Sequence, residues 1–120
     1  METIDLAAKL RTFSDHWNPR IVAELNGQQV KLAKFEGAFE WHAHAGEDEL
    51  FYVVRGEFEM HFRDRVERVS EGQVIVVPRG VEHRPVAEKE VHVMLFEPAT
   101  TVNTGDGERS ERTRDELERI

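Results

Sequence analysis

The sequence predicts an all-β barrel or sandwich with a short helix before it and another after it. Three observations point there. Between Ile21 and Phe96 the apolar residues fall into short runs divided by Gly, Pro, Asn and Asp. No stretch between those runs carries helical periodicity, which excludes alternating βα units. The dipeptide Asn26-Gly27 sits between two alternating segments, the strongest short-range hairpin signal.

Taken in order, Thr3 to Phe13 puts Leu6, Leu10 and Phe13 on one stripe, with Thr3 as the expected N-cap of an amphipathic helix. Trp17-Asn18-Pro19 ends it, so residues 1–19 form a helix and linker. The strand-like runs are Ile21–Leu25, Gln29–Ala33, Phe39–His44, Leu50–Val54, Phe58–Phe62, Val74–Val77 and Val91–Phe96, giving a barrel over residues 20–98. Residues 99–120 are densely charged and read as a solvated, frayed tail. Thr113 and Glu116 form a capping box for a short last helix, supported by the i,i+4 pairs Glu108/Arg112 and Asp115/Arg119.

With 120 residues the chain has the size of one domain. A net charge of −8 argues against nucleic acid and anionic membrane as partners. No apolar run reaches the roughly 20 residues of a membrane helix. Met-Glu-Thr-Ile-Asp lacks the features of a signal peptide, so the expected location is the cytoplasm. Without cysteine there is neither a disulfide nor a thiolate metal site, which leaves His, Asp and Glu as ligands.

The chemistry concentrates in Trp41-His42-Ala43-His44 and the segment Glu47-Asp48-Glu49 after Gly46. Residues i and i+2 of a strand project from one face, so His42 and His44 point the same way. Glu49 opens the next strand, where its carboxylate can lie beside them. Two imidazoles and one carboxylate suit iron, manganese, nickel or zinc. His83, after the turn Pro78-Arg79-Gly80, offers a fourth ligand. Such a set leaves coordination positions open for water or substrate. Asp48 is the fallback for Glu49. Standing alone, His-x-His fits ordinary surface histidines as well as ligands; its conjunction with Glu49 and His83 favours metal.

Phe51 and Val53 share the parity of Glu49 and are expected to line the same interior. His92 lies in a strand apolar on both faces, so it lines the cavity or packs under a helix. His61 shares parity with Glu57 and Glu59 and is read as solvent-facing, and His16 as structural or exposed. Tyr52, Arg55, Arg79 and Arg84 are weaker candidates for substrate contact.

The sequence here resembles a known family. Gly37, His42-x-His44, four residues, Glu49, six residues and Gly56 is similar to the first motif of the cupins. Gly72, five residues, Pro78-x-Gly80, two residues and His83 is similar to the second. Gly37 stands one residue closer to His42 than the pattern has it, and Ala87 stands where the motif often has Asn. The resemblance is to small single-domain cupins of type 2, in the RmlC-like jelly-roll superfamily. It implies a double-stranded β-helix (jelly-roll) barrel, with one divalent transition metal (Fe, Mn, Ni or Zn) on His42, His44, Glu49 and His83, and a homodimer.

Two functions are compatible with this reading. One is a metal-dependent enzyme on a small organic molecule, of dioxygenase or isomerase/decarboxylase type. The other is a non-catalytic small-molecule or metal-binding module. No catalytic side chain beyond the four ligands is assigned.

Overall fold

A computed structural model describes all residues, 1–120. The hairpin forms where expected. β1 (Arg20–Leu25) and β2 (Gln28–Ala38) flank Asn26 and Gly27, whose φ angles of 52° and 76° give the tight turn that matches strand twist. β3 (Glu49–Arg55), β4 (Glu57–Phe62), β5 (Val66–Ser70), β6 (Val74–Val77) and β7 (His83–Pro98) follow, all pairing antiparallel.

β7 organises the molecule. It runs along β2 for most of its length. Its first residues, His83 to Val86, pair with β4, and His92 to Phe96 pair with β3. The result is a jelly-roll with one face β1-β2-β7-β3-β6 and a second built on β7, β4 and β5. The sequence pattern suggests a strand only over Val91–Phe96. The strand reaches back to His83 because the charged residues Glu88–Glu90 bulge into solvent while Val86 and Ala87 continue the pairing with β2. β5 falls outside the expected runs; the adjacent charges Glu67 and Arg68 disguise a short outer strand.

Inward residues of both faces form one apolar core that includes Phe35, Phe51, Phe58, Met60, Val91 and Val93. Phe58 and Met60 are fully enclosed, and truncating either would cost about 2–5 kcal/mol. No helix is long and apolar enough to cross a membrane.

Both ends depart from expectation. The first helix, α1, spans only Leu6–Leu10 and is capped by Asp5, not Thr3; the Asp5 carboxylate accepts from Ala8 N at 3.1 Å. Asp outcompetes Thr here because its charge also faces the positive helix end. No C-terminal helix forms. Thr113 spends its hydroxyl on Ser110 N and Thr104 instead of capping. The expected i,i+4 pairs are replaced by Arg109–Asp115 and Arg119–Glu24. Nor is the tail frayed: Ile21 N donates to Glu118 O and Ile120 N to Ile21 O, so the chain end covers the open edge of β1.

Candidate metal centre

Four segments meet at one mouth of the barrel. Phe39–His44 is not a regular strand, as the sequence suggests, but an extended stretch tied to β7 at one bridge. His42 N donates to His83 O at 3.0 Å and His83 N to His42 O at 2.9 Å. Gly80 N also donates to His44 O. Gly105 crosses this stretch so closely that a Cβ there would come within 2.5 Å of Ala43 O, and its φ of 82° needs glycine in any case. This crossing draws Ala43 toward the tail and away from a ladder. Glu49 opens β3 and His83 opens β7, both at strand ends that face the mouth.

The structure brings His42, His44, Glu49 and His83 together: one nitrogen or oxygen of each lies within 4.8 Å of the others. His44, Glu49 and His83 are each at most 3% exposed. Nε2 of His44 and of His83 stand 3.0 and 3.1 Å from the same oxygen, Glu49 Oε1. None of these three buried atoms has a hydrogen-bond partner, because the approach angles are wrong for one. His42 Nδ1 donates to Glu40 O at 2.9 Å and His83 Nδ1 to Val81 O at 2.8 Å, which fixes their tautomers and leaves Nε2 as a bare lone pair. Lone pairs converging on a carboxylate oxygen repel unless a cation lies among them. On that test the residues fit a divalent metal ion.

Electrostatics agree with that arrangement. Burial, then the neighbouring His83 charge, pushes His42 down to about 4, so its imidazole is neutral and able to ligate near pH 7. Burial works to raise the Glu49 carboxyl, but hydrogen bonds that protonated His44 and His83 would donate to it prevail and hold it well below the usual carboxylate range, so positive charge beside Glu49 is what this spot favours.

Glu97 has no counterpart in the sequence-based site. Burial, then the Glu49 charge, pushes its carboxyl well above the ordinary value. Lys31 Nζ donates to Glu97 Oε1 at 2.8 Å, both side chains being enclosed, while Oε2 has no partner. Parity carried a signal: Glu97 continues the inward series Val91, Val93, Leu95, and Lys31 continues Ala33, Phe35. The sequence pattern places Trp17 only in a helix-breaking linker. It stacks on Phe35 and Phe39 at 4.5 and 4.8 Å and walls the cavity beside the site, which is about 30 Å³.

Of the expected lining, Phe51 does face this cavity. Val53 is fully buried but lies deeper, within the apolar core. His92 is a correction. Since Val91, Val93 and Leu95 take the inner face, His92 points outward, where its Nε2 lies 3.2 Å from Glu90 Oε2. Asp48 is turned away to Arg79, accepting from its backbone N at 2.8 Å, which leaves Glu49 as the inward carboxylate. Arg84 lies over the Trp41 ring, and Tyr52 and Arg55 lie outside the cavity. His61 pairs with Glu59 and His16 with Glu90.

The sequence profile of the cupin domain matches residues 23–98. The chain belongs to the cupin family. A crystal structure of a cupin-2 domain protein from Shewanella frigidimarina is 44% identical, with a TM-score of 0.78 over 79% of this chain and 93% of that one. Protein NMB1881 from Neisseria meningitidis is 33% identical, with a TM-score of 0.75 over 82% of this cupin and 100% of that chain. An uncharacterized protein of Bacillus subtilis, YdbB, is 38% identical over 64 residues; the match spans 52% of this cupin and 57% of the length of YdbB.

Proposed function

We propose that this cupin holds one divalent transition metal on His42, His44, Glu49 and His83, and uses it enzymatically on a small organic molecule. The observation that carries the reading is the convergence of enclosed, unpartnered Nε2 atoms on Glu49 Oε1. A bound metal would supply Lewis-acid polarisation of a carbonyl or enediol or, as iron, activation of O₂. The chain's own contribution is to keep His42 neutral, to aim Nε2 of His42 and His83 through backbone carbonyls, and to exclude water with Phe39, Phe51 and Trp17. The reaction is of dioxygenase or isomerase/decarboxylase type.

A non-catalytic binding module is the second reading, favoured by the size of the cavity. At about 30 Å³ it is small, so a substrate must be small or must enter only in part. Elemental analysis of the purified protein and of His42→Ala and His83→Ala tests the metal. We expect near-stoichiometric metal in the wild type and a loss of about a thousandfold in affinity, roughly 4 kcal/mol, in either variant. Unchanged occupancy would refute the assignment. Oxygen uptake and turnover screens on the loaded protein separate the enzyme from the module, since metal without turnover favours the module.

A further inference from the structure

The three imidazoles are not held alike. Nδ1 of His42 and of His83 each donates to a backbone carbonyl, whereas neither nitrogen of His44 has a partner, although that side chain is only 2% exposed. A neutral imidazole that offers Nε2 to a metal carries its proton on Nδ1. A buried N–H with no acceptor is costly, so something must receive it.

The carboxylate beside His44 Nδ1 is Glu47, whose Oε1 stands 3.8 Å away. Glu47 is itself braced, its Oε2 accepting from the Thr100 hydroxyl at 3.2 Å. The backbone around His44 is held from both sides: Gly80 N donates to His44 O at 2.8 Å, and Ala45 N donates to Asp106 Oδ2 at 2.5 Å. With the backbone set, only the ring's tautomer and tilt remain to be fixed. We propose that Glu47 is the positioning carboxylate of His44, accepting Nδ1–H and so aiming the Nε2 lone pair at the point it shares with His42, Glu49 and His83. A carboxylate in this role also raises the basicity of the ligand, and removing such partners typically costs ten- to a hundredfold in metal affinity.

The proposal rests on the metal reading above, and the test separates the two. Cobalt(II) is titrated into metal-stripped wild type, Glu47→Ala and Glu47→Gln, and the His44 ring N–H is followed by NMR in the proteins loaded with diamagnetic zinc. Glu47→Ala weakens cobalt binding ten- to a hundredfold, Glu47→Gln less, because an amide oxygen still accepts. In the zinc-loaded wild type the His44 Nδ1–H resonance lies downfield and exchanges slowly because a carboxylate accepts it; in Glu47→Ala it moves upfield and exchanges faster. A merely structural role for Glu47 would not move that signal.

Two results overturn the proposal: wild-type affinity and an unchanged His44 ring in Glu47→Ala, or two cobalt ions per chain with the second lost in Glu47→Ala and Asp106→Asn. The second result would make Glu47 a ligand, since His44 Nδ1, Glu47 and Asp106 also lie within 4.8 Å of one another. A wild type that binds neither cobalt nor zinc refutes the metal reading and the proposal with it, whereas metal binding that Glu47→Ala leaves unchanged refutes the positioning role alone.

Discussion

The chain's six histidines divide equally between two environments. Inside the barrel mouth, His42, His44 and His83 crowd around Glu49 with Nε2 left bare. On the outer surface, His16, His61 and His92 each direct Nε2 to a glutamate at 2.8–3.2 Å, in contact with water. The outer pairs are complete as they stand. The inner group is not, because enclosed acceptors face one another with no proton between them. Proximity of His to Glu therefore says little about chemistry; burial, and what the other ring nitrogen is doing, separates a ligand from a surface contact.

The same contrast extends to lysine and arginine. Lys31–Glu97 is enclosed beside the site, whereas Arg63–Glu82 and Arg68–Glu57 lie in solvent. Breaking a buried pair strands a charge, at a cost of about 3–5 kcal/mol, while exposed pairs contribute about 0–1 kcal/mol. Lys31→Met should therefore lower the urea midpoint of metal-free protein far more than Arg68→Ala. Lys31→Met combined with Glu97→Leu should recover most of the loss, since no buried charge is then left alone. Equal, small effects of Lys31→Met and Arg68→Ala would erase the distinction between inner wall and surface.

A smaller effect comes from His42. In metal-free protein its folded value of about 4 lies below the unfolded 6.5. Above pH 6.5 the imidazole is neutral in both states and contributes nothing to the pH dependence. As the pH falls from 6.5 to 4, the unfolded chain takes up a proton that the folded chain refuses. Stability therefore drops, by about 3 kcal/mol in all at 1.36 kcal/mol per pKa unit. Glu97 works in the opposite sense, because its raised carboxyl binds protons more readily in the folded state. Subtracting the pH–stability curve of His42→Gln from that of the wild type largely cancels Glu97. A difference curve flat between pH 4 and 6.5 would show that the His42 ring is solvated.

What was legible in the sequence is what local patterning encodes. Alternation located most strands, Asn26-Gly27 located the hairpin, and the spacing of His42, His44, Glu49 and His83 marked one mouth. The rest depends on contacts between distant residues. Lys31 and Glu97 are 66 positions apart and gain meaning only because β2 and β7 lie side by side. The tail read as solvated because its charges are dense, yet Gly105 and Asp106 pin the stretch that carries two of the histidines. His92 was ambiguous because both faces of its strand are apolar, and pairing with β2 and β3 decided which face points in.

His92 gives the smallest expected effect and the sharpest control. It sits in β7 between Val91 and Val93, a backbone position directly beside the inward face, yet its ring leans on Glu90 at the surface. If the wall of the barrel separates two environments, His92→Ala changes stability by less than about 0.5 kcal/mol. His61→Ala, which loses only the contact to Glu59, should behave the same way. Neither variant should alter metal content, even though each removes an imidazole from a protein that has six. Elemental analysis beside urea denaturation reads both quantities on one sample. A fall in metal content in His92→Ala comparable to that in His83→Ala would mean that the ring turns inward in solution and that the two classes of histidine are not distinct.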